Sequence, residues 1–337
     1  MKVVERRYDG DGAADFTKIS ITNGDTRISF LNYGARVCEW IVPDKNGVYE
    51  DILLGHEDPA DYLVHPYYFG ASIGRTAGRI RNGEAVIGDT PVKLTINDGP
   101  HHLHGGSHGF DTLYFDHEIE AHENEITIIF TSTLKDMADG YPGNLDIDIR
   151  YTYSKDDRLT IDYRITTDKE TLINPTNHMY FNLNGNLKDD IKNHTVNLGN
   201  AEYGKVDGLV LPLGESGIIE SNEKNITFRE LIESEDPQFS QFNGLDHPFN
   251  MPDGPLVLRA PNGRSVTLES DDPVVVVFTS NDFSFCDVSG KHFYPYCGLT
   301  LEAQMPPDDI NTDRKSETIL PAGGTFTKRT VYQFNIQ

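Results

Sequence analysis

Three observations predict an all-β fold of packed antiparallel sheets. Polar and apolar side chains alternate over long runs, Asn-Gly pairs sit between β-rich segments, and helical signals are too brief for more than one or two turns. From the N-terminus, Asn46-Gly47 is the first such pair, able to take the left-handed angles of a tight hairpin turn. Asp58-Pro-Ala-Asp-Tyr-Leu63 then offers a short helix, and Asn82-Gly83 a second turn. Leu145, Ile147, Ile149, Tyr151 and Tyr153 alternate with polar residues, and after Ser154-Lys-Asp-Asp157 the pattern resumes at Leu159, Ile161, Tyr163 and Ile165. That is a long, half-exposed hairpin. Leu172 to Leu183 reads as extended, Thr227 to Ile232 as a helical turn or two, and Asn262-Gly263 as a third turn. Val274 to Phe278 is apolar throughout, as suits a strand buried on both faces, and Leu299 to Gln304 alternates again. No repeat, low-complexity tract or linker interrupts the pattern, so residues 1–337 are expected to form a single domain.

Composition removes several functions. With 29 Lys+Arg against 53 Asp+Glu the formal net charge is -24, a field that repels nucleic-acid backbones and anionic membrane surfaces. A neutral or cationic ligand fits better, although a solvated acidic surface needs no partner at all. The N-terminal Met-Lys-Val-Val-Glu-Arg-Arg carries no apolar secretion signal and no run is long enough to span a bilayer, which points to the cytoplasm. Three cysteines, Cys38, Cys286 and Cys297, form an odd set without C-x-x-C spacing; they are expected to be reduced, part-buried thiols. No G-x-G-x-x-G follows a strand, so a dinucleotide site is not expected.

Two segments carry chemistry. If Leu172–Leu183 is one strand, Thr176, His178, Tyr180 and Asn182 share a face opposite Met179, Phe181 and Leu183. In Leu299–Gln304, Thr300, Glu302 and Gln304 share a face opposite Leu299, Leu301 and Ala303. A histidine and a carboxylate on rigid strands can act as a proton-transfer pair. The densest histidine cluster, Pro100-His-His-Leu-His104-Gly-Gly-Ser-His108, leaves three readings open. His102-x-His104 has the spacing to seat a divalent metal, though Gly105, Gly106 and Ser107 fill the interval where a carboxylate would follow. The histidines could instead brace a Gly-Gly turn, or one could be a neutral imidazole that hydrogen-bonds a ligand.

Six blocks taken together resemble the aldose 1-epimerase (galactose mutarotase) family and run in the family's order over most of the chain. They are Gly74-Arg-Thr-Ala-Gly-Arg79-Ile, Asn97-Asp-Gly-Pro-His-His-Leu-His104-Gly-Gly, Asp139-Gly-Tyr-Pro-Gly-Asn144, Asn174-Pro-Thr-Asn-His178-Met-Tyr-Phe-Asn-Leu, Gly244-Leu-Asp246-His-Pro-Phe, and Leu301-Glu302-Ala-Gln304 with Pro307-Asp-Asp-Ile-Asn311. The resemblance implies a large antiparallel β-sandwich of the galactose mutarotase type that interconverts the anomers of a free hexose. It further implies Glu302 as general base, His178 as general acid, and Arg79, His104 and Asp246 as sugar ligands, with no metal or redox cofactor. The expected partner is a small sugar (galactose, glucose or a related aldose), and the expected assembly a monomer or homodimer.

Departures from the family's pattern bear on the choice of sugar. Gly78 stands where asparagine is common, Val276 where a sugar-binding glutamine is common, and Ala303 where threonine usually flanks the catalytic glutamate. A site that lacks such amides is expected to discriminate hydroxyl epimers less sharply, so glucose, or a disaccharide such as maltose, is admitted as the main substrate beside galactose. Two other classes compete with the epimerase. A non-catalytic sugar-binding relative would be expected to lose the acid or the base. A glycoside-acting enzyme would want two carboxylates at hydrolytic spacing.

Overall fold

The computed structural model describes residues 1–10, 15–64, 67–312, 314 and 317–337. Its strands form three large antiparallel sheets and several two-stranded ribbons. A five-stranded meander takes Lys2–Tyr8, Phe16–Asn23, Thr26–Leu31, Arg36–Pro43 and Tyr49–Asp51 in chain order. A nine-stranded sheet is centred on the Leu145–Ser154/Arg158–Thr167 hairpin and the C-terminal strand Thr325–Ile336. The third sheet has six strands, and in its middle Leu299–Gln304, Val274–Phe278 and Asp246–Asn250 lie side by side.

Alternation decides which faces meet. In the central hairpin Leu145, Ile147, Ile149, Tyr151 and Tyr153 are buried while Asp146 and Arg150 face water. The buried set joins Ile19, Ile21 and Phe30 of the first sheet and Val275, Val277, Leu299 and Leu301 of the third in one hydrophobic cluster. Burying each such aliphatic side chain is worth about 1.5–3 kcal/mol before chain entropy is counted. This continuous core makes the arrangement a β-sandwich.

Both expected short helices form, at Asp61–Val64 and Phe228–Ile232, the second opened by a capping box between Thr227 and Glu230, and a third, Pro237–Ser240, is added by the structure. Cys38 and Cys297 are buried free thiols, whereas Cys286 is exposed. No helix among the described residues is long and apolar enough to cross a membrane.

Two local expectations are corrected. Of the three Asn-Gly pairs only Asn82-Gly83 has both residues left-handed, and the strands flanking it pair with other partners, not with each other. Gly47 and Gly263 alone take positive φ, in longer loops between paired strands. Leu172–Leu183 is also not one strand. Thr176–Asn177 pairs with Ser72–Ile73, whereas Tyr180–Phe181 pairs with Leu299–Thr300. The chain changes sheets at His178-Met179, where the Asn177 side chain accepts from Met179 N–H and donates to Gly70 O in place of ladder partners.

Candidate active site

The face of the six-stranded sheet turned away from the core forms the wall of a cavity of about 370 Å³. Register explains its composition. Pro248, Val276 and Glu302 are cross-strand neighbours in one row, and Asp246, Phe278, Thr300 and Tyr180 in the next. All but Thr300 line the cavity, and Thr300 reaches Glu302 from beside it, its hydroxyl donating to Oε1 at 2.9 Å. The intervening Val275, Val277, Leu299, Leu301 and Ala303 go to the core. Period-two alternation therefore places Glu302 on the wall as the sequence suggests, and it corrects the expectation of a Val274–Phe278 strand buried on both faces: Val275 and Val277 pack into the core, whereas Val276 and Phe278 line the cavity.

His178 arrives from the sheet-changing segment. Its Nε2 lies 3.3 Å from Glu302 Oε1, with both side chains at most 5% exposed. Several ties fix that approach. Asn174 donates to Met305 O and accepts from Met305 N–H, and Thr176 donates to Ala303 O. The Lys328 ammonium donates to both Pro175 O and Ala303 O while paired with Asp272. The His178 segment is thus tied to the Glu302 strand on one side of the pair, and the Tyr180–Thr300 pairing ties it on the other, which is the preorganisation proton transfer needs. In the His178 segment Met179, Phe181 and Leu183 enter the core as alternation expects, but of the polar face only His178 and Tyr180 reach the cavity. Thr176 is used in the tie, and Asn182 donates to Asp189 O and Cys297 O.

The Gly-Gly turn explains how His104 is held. His104 itself is left-handed at φ 52, and its Nδ1 accepts the Gly78 N–H, so the ring proton sits on Nε2. A Cβ on Gly105 would meet Gly74 O at 1.9 Å, and one on Gly106 would strike the Asp139 side chain at 2.4 Å. Asp139 in turn accepts from Ser107 and His108 N–H, which binds the Asp139–Asn144 block to the histidine block. Arg75 anchors the same region by donating to Lys135, Pro142 and Gly143 carbonyls and to the Thr171 hydroxyl.

The His102/His104 metal pair is not formed. His102 Nδ1 donates to Thr95 O at 2.7 Å and its Nε2 accepts from Tyr141 OH at 2.6 Å, so both nitrogens are used. A different trio, His104, His178 and Glu302, does offer ligand atoms within 4.8 Å of one another. Arg79 pairs with Asp98 at 2.7 Å and approaches Asp246 at 3.8 Å on the cavity rim.

Burial sets the protonation of the pair. Loss of water pushes the Glu302 carboxyl up to about 8, with the Thr300 hydrogen bond opposing, and holds the His178 imidazolium down to about 3. Desolvation likewise keeps His104 neutral and raises Asp246, against the pull of Arg79. Burial thus disfavours the charged form of both partners, so the dry pair favours a neutral carboxyl beside a neutral imidazole.

Further groups complete the wall. Tyr68, left-handed at φ 58, packs edge-on to His104 and tilted over His178. Asp98 steadies Arg79, and Gln304 donates to Met305 O but leaves its buried Oε1 without a partner in the cavity wall, as Glu302 Oε2 also is. Alternation had put Gln304 on the right face; nothing in the spacing singled out Tyr68.

Val276 and Gly78 both line the cavity. Gly78 has φ 75, and a Cβ there would meet Pro307 at 3.0 Å and Gln304 Nε2 at 3.3 Å, so the glycine suits both the turn and its close neighbours here. Val276→Gln is expected to change the galactose-to-glucose ratio of kcat/KM by roughly threefold to tenfold, the worth of one neutral hydrogen bond. An unchanged ratio in a folded variant would show that this wall does not read the C4 hydroxyl.

Comparison with known proteins adds three findings. The profile of the aldose 1-epimerase family matches residues 17–333. Galactose mutarotase of Bos taurus is 29% identical over 100% of both chains, and aldose 1-epimerase of Escherichia coli (strain K12) is 30% identical over 93% of each. The crystal structure of galactose 1-epimerase from Lactobacillus acidophilus NCFM superposes with a TM-score of 0.89 at 26% identity, covering 99% of both chains.

Proposed function

This chain belongs to the aldose 1-epimerase family, and we propose that it interconverts the α and β anomers of a free hexose, with Glu302 and His178 exchanging one proton pair at the ring. The observation that carries this reading is the 3.3 Å contact between a buried carboxyl and a buried imidazole on the wall of a sugar-sized cavity. Glu302 as carboxylate removes the C1 hydroxyl proton. The C1–O5 bond breaks, the aldehyde forms, and His178 as imidazolium protonates the ring oxygen. After rotation about C1–C2, His178 takes the proton back as O5 closes on the other carbonyl face, and Glu302 returns its own to O1.

The resting protonation fits this cycle. Neutral Glu302 with neutral His178 holds the same number of protons as carboxylate with imidazolium, and one transfer across the contact interconverts them. The neutral form is also the one left after ring opening, so a dry site favours the open-chain state over separated charges. Arg79, Asp246 and the Nε2–H of neutral His104 are the hydroxyl ligands in this scheme. The steps are redox-neutral and each proton has a protein carrier, so no cofactor is required. The activity is assigned to residues 1–337 acting as a single domain, in keeping with a core that draws on strands from Ile19 to Phe334.

Polarimetry on freshly dissolved α-anomers of galactose, glucose and xylose tests the proposal. The protein should hasten equilibration, leave the final anomer ratio unchanged, and keep its activity after exhaustive chelation. Rates equal to buffer with every sugar would reject the enzyme. Activity lost on chelation and restored by a divalent metal would instead assign a metal to His104, His178 and Glu302.

A further inference from the structure

The cavity that holds the pair carries more negative charge than epimerisation uses. Among the described residues its wall has four carboxyl groups, on Asp98, Asp246, Asp282 and Glu302, against the single guanidinium of Arg79. We infer that the site also takes cationic sugars, so that the enzyme interconverts the anomers of free 2-amino-2-deoxyhexoses in their ammonium form. The inference rests on the epimerase reading above, because that reading places the anomeric carbon against Glu302.

Charge is the first argument. Arg79 is already shared, held by Asp98 at 2.7 Å and near Asp246 at 3.8 Å, so it has little left for an anionic substrate. Asp282 is exposed and lies on the same wall. Even with Glu302 protonated, three carboxyl groups face one guanidinium, and the chain as a whole carries a formal net charge of -24. Apolar walls of Val276, Phe278 and Phe283 hold that field inside the cavity rather than letting water disperse it. A uronate or a sugar phosphate is therefore repelled, and an ammonium is drawn in.

Hydrogen-bonding capacity places the ammonium. The Gln304 amide donates through Nε2 to Met305 O at 3.1 Å, which fixes Oε1 as its other end, and that buried Oε1 has no partner among the described residues. Glu302 Oε2 is likewise buried and without a partner there. Gln304 stands two residues beyond Glu302 on the same face of one strand, so acceptors gather beside the carboxyl that serves C1. C2 is the ring carbon bonded to C1. An ammonium on it brings three donors and no acceptor, whereas a hydroxyl brings one donor. The wall offers acceptors to match.

An ammonium on C2 also suits the proton transfers. Its charge favours the carboxylate of Glu302, the form that takes the C1 hydroxyl proton, against the burial that favours the neutral carboxyl. The ammonium keeps its own proton throughout, so ring opening and closure balance as they do for a neutral hexose.

The test compares kcat/KM by polarimetry for freshly dissolved α-glucosamine and α-galactosamine hydrochlorides with that for α-glucose and α-galactose, at about pH 6, where the amine is an ammonium ion. At an ionic strength on the order of 0.01 M an amino sugar should exceed its parent hexose by roughly threefold to tenfold, and about 0.5 M salt should cut that ratio by about threefold or more while the hexose value holds within about twofold. Galacturonate should be slower than galactose, and N-acetylglucosamine, which keeps the nitrogen without the charge, should gain nothing at low salt. Asp282→Asn and Asp282→Lys should lower the ratio stepwise, by roughly twofold and roughly fivefold, and leave the hexose value unchanged. Amino sugars slower than their parent hexoses, galacturonate faster than galactose, a ratio indifferent to salt, or Asp282 variants that slow both sugars alike would overturn the inference and leave the epimerase intact. Turnover of neither amino sugar nor hexose would overturn the epimerase reading itself.

Discussion

Glu302→Gln is expected to lower kcat by roughly 10²–10⁴-fold, the range for loss of a positioned base, with a much smaller change in KM. The amide keeps the shape of the side chain and its contact with the Thr300 hydroxyl, but it cannot take the C1 hydroxyl proton. The same substitution should stabilise the protein. Burial raises the Glu302 pKa from 4.5 to about 8, so its contribution to stability is fully present below pH 4.5 and is lost as pH rises through about 8. Glutamine carries no such liability. The melting temperature of Glu302→Gln should therefore exceed that of the parent by a few degrees at pH 9, with the gap closing towards pH 5. A variant that retained parental kcat would move the base to another carboxylate of the cavity, and Asp246 would be tested next, since Asp308 and Asp309 lie outside that cavity.

His178→Asn should cost kcat a similar roughly 10²–10⁴-fold, because protonation of the ring oxygen loses its donor. The loss should not multiply with that of Glu302→Gln. The two groups exchange one proton pair across 3.3 Å, so removing either disables the same step, and the double variant should be about as slow as the slower single one. Multiplicative losses would mean that the two side chains act on separate steps. Stability moves in the opposite sense to that of Glu302. A His178 pKa lowered from 6.5 to about 3 contributes stability above pH 6.5 that is lost as pH falls through about 3, so the variant should resist acid better than the parent.

Much of this site was legible because strand periodicity is a short-range property. Alternation in Leu299–Gln304 sent Glu302 and Gln304 to one face and Leu301 and Ala303 to the other, and the structure agrees at each position. The central hairpin was read equally well, since ten-residue strands with one wet face leave no ambiguity of register. Where long-range partners decide, the reading failed. The spacing around His178 suits one unbroken strand, yet Asn177 and Tyr180 pair with different segments and the chain turns between them. Spacing alone leaves three roles open for His102 and His104, and only distant partners decide between them: Tyr141 and Thr95 take both nitrogens of His102, while Gly78 takes Nδ1 of His104 and leaves Nε2 to the cavity. The Lys328 tie could not be found at all, because a lysine in an alternating strand reads as solvent-facing until Asp272 and two carbonyls are seen around it. The same dependence on burial hid the protonation of the pair, as no local pattern reports the loss of water around Glu302 and His178.

The dependence of kcat/KM on pH tests most directly whether one proton shared by Glu302 and His178 drives the reaction. Between about pH 3 and about pH 8 the pair holds that proton, so the profile should be level through neutrality and fall by roughly tenfold per unit above about pH 8, when Glu302 loses it and His178 cannot supply another. A rate that climbs through pH 8 towards pH 10 would show that free carboxylate with neutral imidazole suffices, and would contradict the shared-proton mechanism.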